Sequence, residues 1–150
     1  MDMSVRLAVP ADLARVSEIF RQASLSNEGD RPLLAAHPEF LVFSPVAIDE
    51  GRTLVAVIDG QIVGFVTTQI VADLWEVEDL FVDPGWMRRG VATQLMAEAA
   101  AVARSGGATR IEVTANGHAL DFYKSAGFVL DQEIDLEFGR GYRMHLACAN

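Results

Sequence analysis

Trp75-Glu76-Val77-Glu78-Asp79-Leu80-Phe81-Val82-Asp83-Pro84-Gly85-Trp86-Met87-Arg88-Arg89-Gly90-Val91-Ala92, continuing through an alanine-rich run to Gly107, decides how the rest of the chain is read. Residues 76–82 read as a strand. Alternation puts Glu76, Glu78, Leu80 and Val82 on one face and Asp79 on the other. Asp83-Pro84-Gly85 stops it, because proline offers no amide to a ladder and glycine permits a sharp turn. From about Val91 the spacing predicts a helix ending at Ser105-Gly106-Gly107, with Val91, Leu95, Ala99 and Val102 against the sheet. A strand, a basic glycine-containing turn and a helix start make an anion cradle. The first amides of a helix have no internal partners and the positive end of the dipole lies there, so a phosphate fits.

The two commonest nucleotide loops are excluded by spelling. A P-loop requires a lysine followed by Ser or Thr, and the chain's single lysine, Lys124, lies well outside this turn. The dinucleotide fingerprint requires three glycines at fixed spacing, which Gly85 and Gly90 do not supply.

The chain has 150 residues, enough for one domain spanning 1–150 and too few for two comfortable ones. Its 51% hydrophobic and 22% charged residues are ordinary for a globular protein, which argues against disorder. A formal net charge of -9 opposes general nucleic-acid affinity, which depends on phosphate neutralisation. The lone cysteine, Cys148, forms no intramolecular disulfide and makes a poor nucleophile so near the end. His37 and His145 show no metal-ligand spacing with each other or with Cys148, so no metal is expected. With neither a secretory pattern at Met1-Asp2-Met3-Ser4 nor a membrane-length apolar run, a cytoplasmic setting is expected, with no membrane partner.

Taken in order, Val5–Val9 predicts a first strand closed by Pro10. Leu13, Val16, Ile19 and Phe20 then recur at helical spacing, with Asp12 near the helix start. Residues 26–32 form a polar break, and 33–50 read as a short irregular helix plus loop. The runs 53–58 and 62–68, joined by Asp59-Gly60-Gln61, predict a hairpin. Past the organising stretch come a strand at 110–114, a short helix at 119–126 capped by Gly127, and a closing hairpin of 128–137 with 142–147. The strand-helix-strand unit from 76 to 114 demands a parallel pair while both hairpins are antiparallel. The expected fold is a mixed α/β sheet with helices on both faces.

Two motifs carry a resemblance. Met87-Arg88-Arg89-Gly90-Val91-Ala92 resembles the pyrophosphate loop of the GCN5-related N-acetyltransferase (GNAT) family: Gln or Arg, two residues, Gly, one residue, then Gly or Ala. Methionine at the first position departs from that pattern, and Arg88 would compensate. Asn116-Gly117-His118-Ala119-Leu120-Asp121-Phe122-Tyr123, followed by Gly127-Phe128, is similar to the family's second signature at every position. The resemblance covers about 53–147, and implies a mostly antiparallel, twisted sheet of about seven strands. It also implies a transferase that moves an acetyl group from acetyl-CoA to a primary amine by direct attack on the thioester.

The site residues follow from the same resemblance. The fourth and fifth strands would splay apart, letting the pantetheine amides pair with backbone at Leu80, Phe81 and Val82 as an added strand would. The Val82 amide would also meet the oxyanion of the tetrahedral intermediate. Amides of Arg89, Gly90, Val91, Ala92 and Thr93 would hold the pyrophosphate, with Arg88 or Arg89 supplying charge. Asn116 and Phe122 belong to the second cofactor-binding motif. Glu78 is the implied catalytic base, with Glu76 second, Asp79 third and His118 a further alternative. Tyr123 is the family's usual acid toward the departing thiolate. A phenol of pKa ~10 is a weaker acid than a thiol at ~8.5, so full transfer is uphill by about 2 kcal/mol, and hydrogen-bond donation is the more economical role.

The acceptor pocket is assigned by elimination to 24–50, Trp75, Glu76 and the tip 138–141, with Glu28, Asp30 and Glu76 attracting an ammonium. A small-molecule amine is the expected acceptor. A non-catalytic acyl-CoA-binding module would not require Glu78 and Tyr123. A protein or peptide N-acetyltransferase would show an exposed apolar patch. By analogy with the family, a homodimer would form through the last strands.

Overall fold

In the computed structural model, which describes residues 2–137 and 139–148, Asp59 (φ 51°) and Gly60 (φ 77°) form the left-handed turn that their sequence predicts. The turn joins β2 (Thr53–Ile58) to β3 (Gln61–Val71). The remaining strands are β1 (Met3–Leu7), β4 (Leu74–Val82), β5 (Arg110–Ala115), β6 (Val129–Leu136) and β7 (Gly139–Ala147). They form one sheet in the order β1-β2-β3-β4-β5-β7-β6. The β4/β5 pair is parallel, and β1/β2, β2/β3, β5/β7 and β6/β7 are antiparallel. The helices are α1 (Leu13–Leu25), α2 (Arg31–Ala36), α3 (Val46–Asp49), α4 (Val91–Ser105) and α5 (Leu120–Ser125). A mixed, mostly antiparallel seven-stranded sheet with helices is thus the fold.

The chain forms two compact units, Met1–Thr67 with Asp79–Leu95, and Thr68–Glu78 with Met96–Asn150. In the first, Val16 and Ile19 of α1 are fully buried among Phe43, Ile48, Val55 and Phe65. Phe20 meets Phe81 edge-on at 5.1 Å and Phe43 at 5.8 Å, and Phe43 meets Phe65 at 5.2 Å. Such pairs add about 0.5–1.5 kcal/mol each beyond area burial. The buried Thr53 and Thr67 hydroxyls, opposite each other in the β2/β3 register, bond at 3.0 Å, so neither is left unsatisfied. Gly64 sits mid-strand for a steric reason. A Cβ there would meet the Phe81 carbonyl oxygen and Val91 Cγ1 at 3.0 Å and Leu95 Cδ1 at 3.2 Å.

In the second unit, Val77, Ile111, Val113, Ala115, Tyr123, Phe128 and Met144 are buried. Gly106 is fixed by Trp75, whose ring carbon Cζ2 would lie 2.6 Å from an added Cβ. The parallel register runs from Trp75↔Ile111 to Val77↔Val113. The β6/β7 pairing shifts by one residue between Leu130 and Gln132.

Several boundaries differ from expectation. The first strand starts at Met3 and ends at Leu7, and a short 3-10 turn follows at Pro10–Asp12. Asp12 stands at the N-cap of α1, near the helix start as expected, and its carboxylate, making no bond to the helix, binds Arg6 at 2.7 and 3.1 Å and the Val9 amide at 2.8 Å. Pro32 lies inside α2 because proline suits a first turn, where its missing N–H is no loss. β3 extends to Val71, and Ala72 (φ 50°) and Asp73 (φ 69°) supply a second left-handed turn with no glycine to announce it. Val102 is 45% exposed and Ala103 is buried in its place. The buried ridge steps by four through Val91, Leu95, Ala99 and Ala103, and such a ridge is inclined to the helix axis.

Candidate active site

The loop between β4 and α4 is made by backbone geometry. Asp83 closes β4 with all its polar groups engaged. Its N–H donates to Val63 O and its carbonyl accepts from Trp86 N, both at 2.8 Å. Its Oδ1 accepts from Gly85 N at 2.8 Å, and its Oδ2 binds Arg15 Nη2 at 2.5 Å. Burial alone would lift this carboxyl; the Arg15 guanidinium and the Gly85 amide outweigh it and hold Asp83 below the ordinary carboxylate range. Arg89 lies over the Trp86 ring, 5.2 Å from its centroid. Arg88 (φ 63°) and Gly90 (φ 80°) are both left-handed, and the turn between them delivers the chain to α4.

The first helical bond of α4 runs from Gln94 N to Gly90 O at 3.0 Å, so the amides of Val91, Ala92 and Thr93 precede it without an intrahelical acceptor. Arg88, Arg89 and Gly90 are exposed, Ala92 is half-buried, and Val91 turns its side chain into the core. On β4, Leu80, Phe81 and Val82 are half-buried, with Phe81 stacked edge-on to Phe20.

In the second unit the acidic candidates separate. Glu76 Oε1 accepts from Arg143 Nη1 at 2.7 Å, and the same nitrogen lies 2.8 Å from Thr114 Oγ1. Arg143 Nη2 reaches Glu112 Oε1 at 3.1 Å, and Arg110 approaches that oxygen at 3.6 Å. The register explains the convergence: Glu76 lies opposite Glu112 across β4/β5, and Thr114 opposite Arg143 across β5/β7. The second candidate base is therefore committed to a guanidinium. Glu78 is exposed and Asp79 half-buried. Glu112 is 7% exposed, and its Oε2 has no hydrogen-bond partner in the structure.

Tyr123, on α5, is 6% exposed and packed edge-on between Phe122 at 5.2 Å and Phe128 at 5.1 Å. Asn116 acts locally: its Oδ1 accepts from Ala119 N at 3.0 Å and shapes the turn into α5. His118 is exposed in that turn. Of the expected acceptor pocket, Trp75 packs on Gly106 and Glu76 is engaged by Arg143. His37 stacks on Phe40 at 4.7 Å. Phe138 and the Glu28 side chain lie outside the described residues. The Cys148 thiol is pushed up by burial, partly offset by Arg104. Among the described residues no His, Cys, Asp or Glu cluster is arranged for a metal, and no helix is long and apolar enough to cross a membrane.

A family model described as acetyltransferase (GNAT) family matches residues 13–128, which include both the cradle and the Tyr123 helix. The chain belongs to the GNAT acetyltransferase family. Among curated protein sequences, none matches this GNAT chain. Solved structures of similar fold include a GCN5-related N-acetyltransferase from Rhodopseudomonas palustris, 24% identical with a TM-score of 0.79 over 98% of each chain. The PaiA N-acetyltransferase from Thermoplasma acidophilum, solved with coenzyme A, is 19% identical with a TM-score of 0.76, over 98% of this chain and 99% of that one. The ribosomal-protein-S18-alanine N-acetyltransferase from Escherichia coli is 18% identical with a TM-score of 0.71, over 99% and 96%. At such identities the likeness is one of fold.

The Arg15–Asp83 pair and the Arg143–Glu112 pair were not foreseen from the sequence. The first joins residues 68 positions apart and the second residues 31 apart. The one available signal was that Arg143 and Glu112 stand in runs otherwise rich in strand formers.

Proposed function

We propose that this GNAT protein is an acetyl-CoA-dependent N-acetyltransferase acting on the primary amine of a small molecule by direct attack on the thioester. The observation that carries the reading is the β4–α4 junction. Left-handed Arg88 and Gly90 lead into three helix-start amides, Val91 to Thr93, that have no intrahelical acceptor. A diphosphate supplies the acceptor oxygens these amides lack, and the helix dipole adds to the attraction. Arg88 and Arg89 supply cationic charge, and the Val82 amide is assigned to the oxyanion. Leu80, Phe81 and Val82 pair with the pantetheine amides, with Asn116 and Phe122 completing the cofactor contacts. The parallel register of β4 that ends at Val77 supports a main chain free to take an added strand from Leu80 onward.

A primary amine is almost wholly protonated at neutral pH and must lose a proton before attack. Glu78 is the acceptor of that proton, directly or through water. Glu78 is preferred by its place on β4 relative to Leu80, Phe81 and Val82, and its side chain is exposed. Attack then forms the C–N bond and a tetrahedral oxyanion; collapse breaks the C–S bond. Tyr123 donates a hydrogen bond to the departing thiolate, and the second proton of the attacking nitrogen leaves to solvent, because Glu78 already holds the first. The products are the amide and the coenzyme A thiolate.

The test is thiol release from acetyl-CoA across a panel of small amines, polyamines and peptides, run beside Tyr123→Phe. The wild type releases thiol with at least one small amine, and Tyr123→Phe lowers turnover by at least about tenfold with cofactor affinity nearly unchanged. Tight cofactor binding without release for any acceptor would make the protein a binding module. Release with peptides alone would move the acceptor to protein.

A further inference from the structure

Arg15 stands on α1, far in sequence from the cradle, yet its donors end at the strand from which the cradle emerges. Nε donates to Ile62 O at 3.0 Å, Nη2 to Asp83 Oδ2 at 2.5 Å, and Nη1 pairs with Glu18. The Arg15 side chain is 30% exposed and that of Asp83 19%, so this ion pair is screened less than a surface pair. The other Asp83 groups hold Val63 O, Gly85 N and Trp86 N. One arginine therefore ties α1 to β3 and to the residue that sets the direction of the chain leaving β4. Three residues on, Trp86 carries Arg89 against its ring, and Arg88 is left-handed, a strained choice for a residue with a Cβ. A strained loop keeps one conformation only when its surroundings over-determine it.

We propose that Arg15 is a positioning residue for coenzyme A: by clamping Asp83 it fixes the exit from β4, and with it the aim of the helix-start amides that receive the diphosphate. The proposal rests on the acetyltransferase reading. Arginine suits the role because its planar fork serves the Ile62 carbonyl and the Asp83 carboxylate at once, whereas a lysine ammonium is a point charge on a flexible stem. The anchoring of α4 is separate, since Val91 and Leu95 are buried in their own right. Removing Arg15 therefore loosens the loop without dislodging the helix, and a ligand must then order the loop on binding.

The experiment measures the coenzyme A dissociation constant by calorimetry, with the thermal midpoint of each variant recorded alongside. Arg15→Gln weakens binding about tenfold, or about 1.4 kcal/mol. It raises the KM for acetyl-CoA by a similar factor and leaves kcat at saturation within about twofold. Arg15→Lys recovers part of the affinity. Asp83→Asn weakens binding similarly, and the double variant is no weaker than either single one, as expected of one clamp. Glu18→Gln, which removes the other ion pair of Arg15, changes the affinity less than about twofold. A lowered midpoint with unchanged coenzyme A affinity in folded Arg15→Gln would reduce the pair to a structural bond and overturn the inference alone. A wild type that fails to bind coenzyme A overturns the acetyltransferase reading together with it.

Discussion

Between Asp83 and Thr93 the feature that sets the loop apart is main-chain geometry, with amides of Val91, Ala92 and Thr93 that have no intrahelical acceptor. Buried or packed side chains act as scaffolding: Asp83 caps, Trp86 supports Arg89, Val91 anchors. In the sheet of the second unit the chemistry lies in side chains instead. There Glu76, Glu112, Thr114 and Arg143 are bound to one another across three strands. The difference teaches where each region is vulnerable. A main-chain site is damaged through conformation, by changing φ or crowding a helix. A side-chain cluster is damaged through charge, by removing one partner and stranding the rest.

The largest stability effect belongs to the charge-built region. Arg143→Leu takes the near guanidinium from both the Glu76 and Glu112 carboxylates, and leaves the buried Glu112 only the longer 3.6 Å approach of Arg110. Full burial of such a pair would cost about 3–5 kcal/mol when broken. With Glu76 and Arg143 each about one-fifth exposed, we expect about 2–3 kcal/mol, seen as a fall of roughly 5–10 °C in the thermal midpoint. The further substitution Glu112→Gln should recover part of that loss, since it removes the stranded charge. No recovery would mean the cluster is held by packing rather than by charge.

Next comes Gly64→Ala, the counterpart in the conformation-built region. The new methyl meets the Phe81 carbonyl and Val91 Cγ1 at 3.0 Å, and a backbone oxygen has no rotamer in which to retreat. Overpacking of this kind costs about 1–3 kcal/mol. Because Val91 opens α4, coenzyme A binding should weaken too, although Gly64 offers a ligand nothing. Equilibrium unfolding in urea and coenzyme A titration measure the two effects, and a stability loss without an affinity loss would separate the cradle from the packing of α4.

Legibility followed the same division. The β4–α4 junction could be read because backbone conformation leaves a spelling: Pro84 and Gly85 stop a strand, Gly90 permits φ 80°, and alanines continue as a helix. The Asp59-Gly60 hairpin, the α4 span and the two-motif resemblance came through for that reason. Ala72 and Asp73 took left-handed conformations without any glycine, so that turn gave no signal. Segment 31–49 folded into two short helices whose prolines sit near their starts or ahead of them, where breakers and helix starters look alike in a sequence. Arg143 could not be paired with Glu76 because their proximity depends on β7 lying beside β5, a fact of sheet order rather than of local pattern. Asn116 was assigned to the second motif, and its observed bond to Ala119 N shows that it also shapes the turn into α5.

A smaller effect tests whether the cradle is conformational at all. Gly90→Ala has open space around the new methyl, so sterics with neighbours play no part. What remains is the preference of an L-residue against φ 80°, about 1 kcal/mol. Coenzyme A affinity should fall by roughly fivefold, with α4 intact by circular dichroism. An unchanged affinity would show that the turn tolerates a second conformation with its amides still aligned.

The smallest effect concerns pH and again divides the two kinds of construction. Amides do not titrate, so the cradle responds to acid only through the carboxylates that brace its unit. Asp12 is held below its ordinary range by hydrogen bonds from Arg6 and the Val9 amide, against burial; Asp83 is held there by Arg15 and the Gly85 amide, against burial. A carboxylate with a depressed folded pKa contributes stability that is fully present above its unfolded value of about 3.9, and loses it as pH falls through the folded value. The stability difference between the wild type and Asp12→Asn should therefore be constant from pH 7 to pH 5 and vanish toward pH 2. Because Arg6 is nearly half exposed, it should stay below about 1 kcal/mol throughout. Urea unfolding at pH 7, 5 and 3 measures it. A difference that grew as the pH was lowered would have the wrong sign for a paired carboxylate, and would show that Asp12 serves α1 by its shape rather than by its charge.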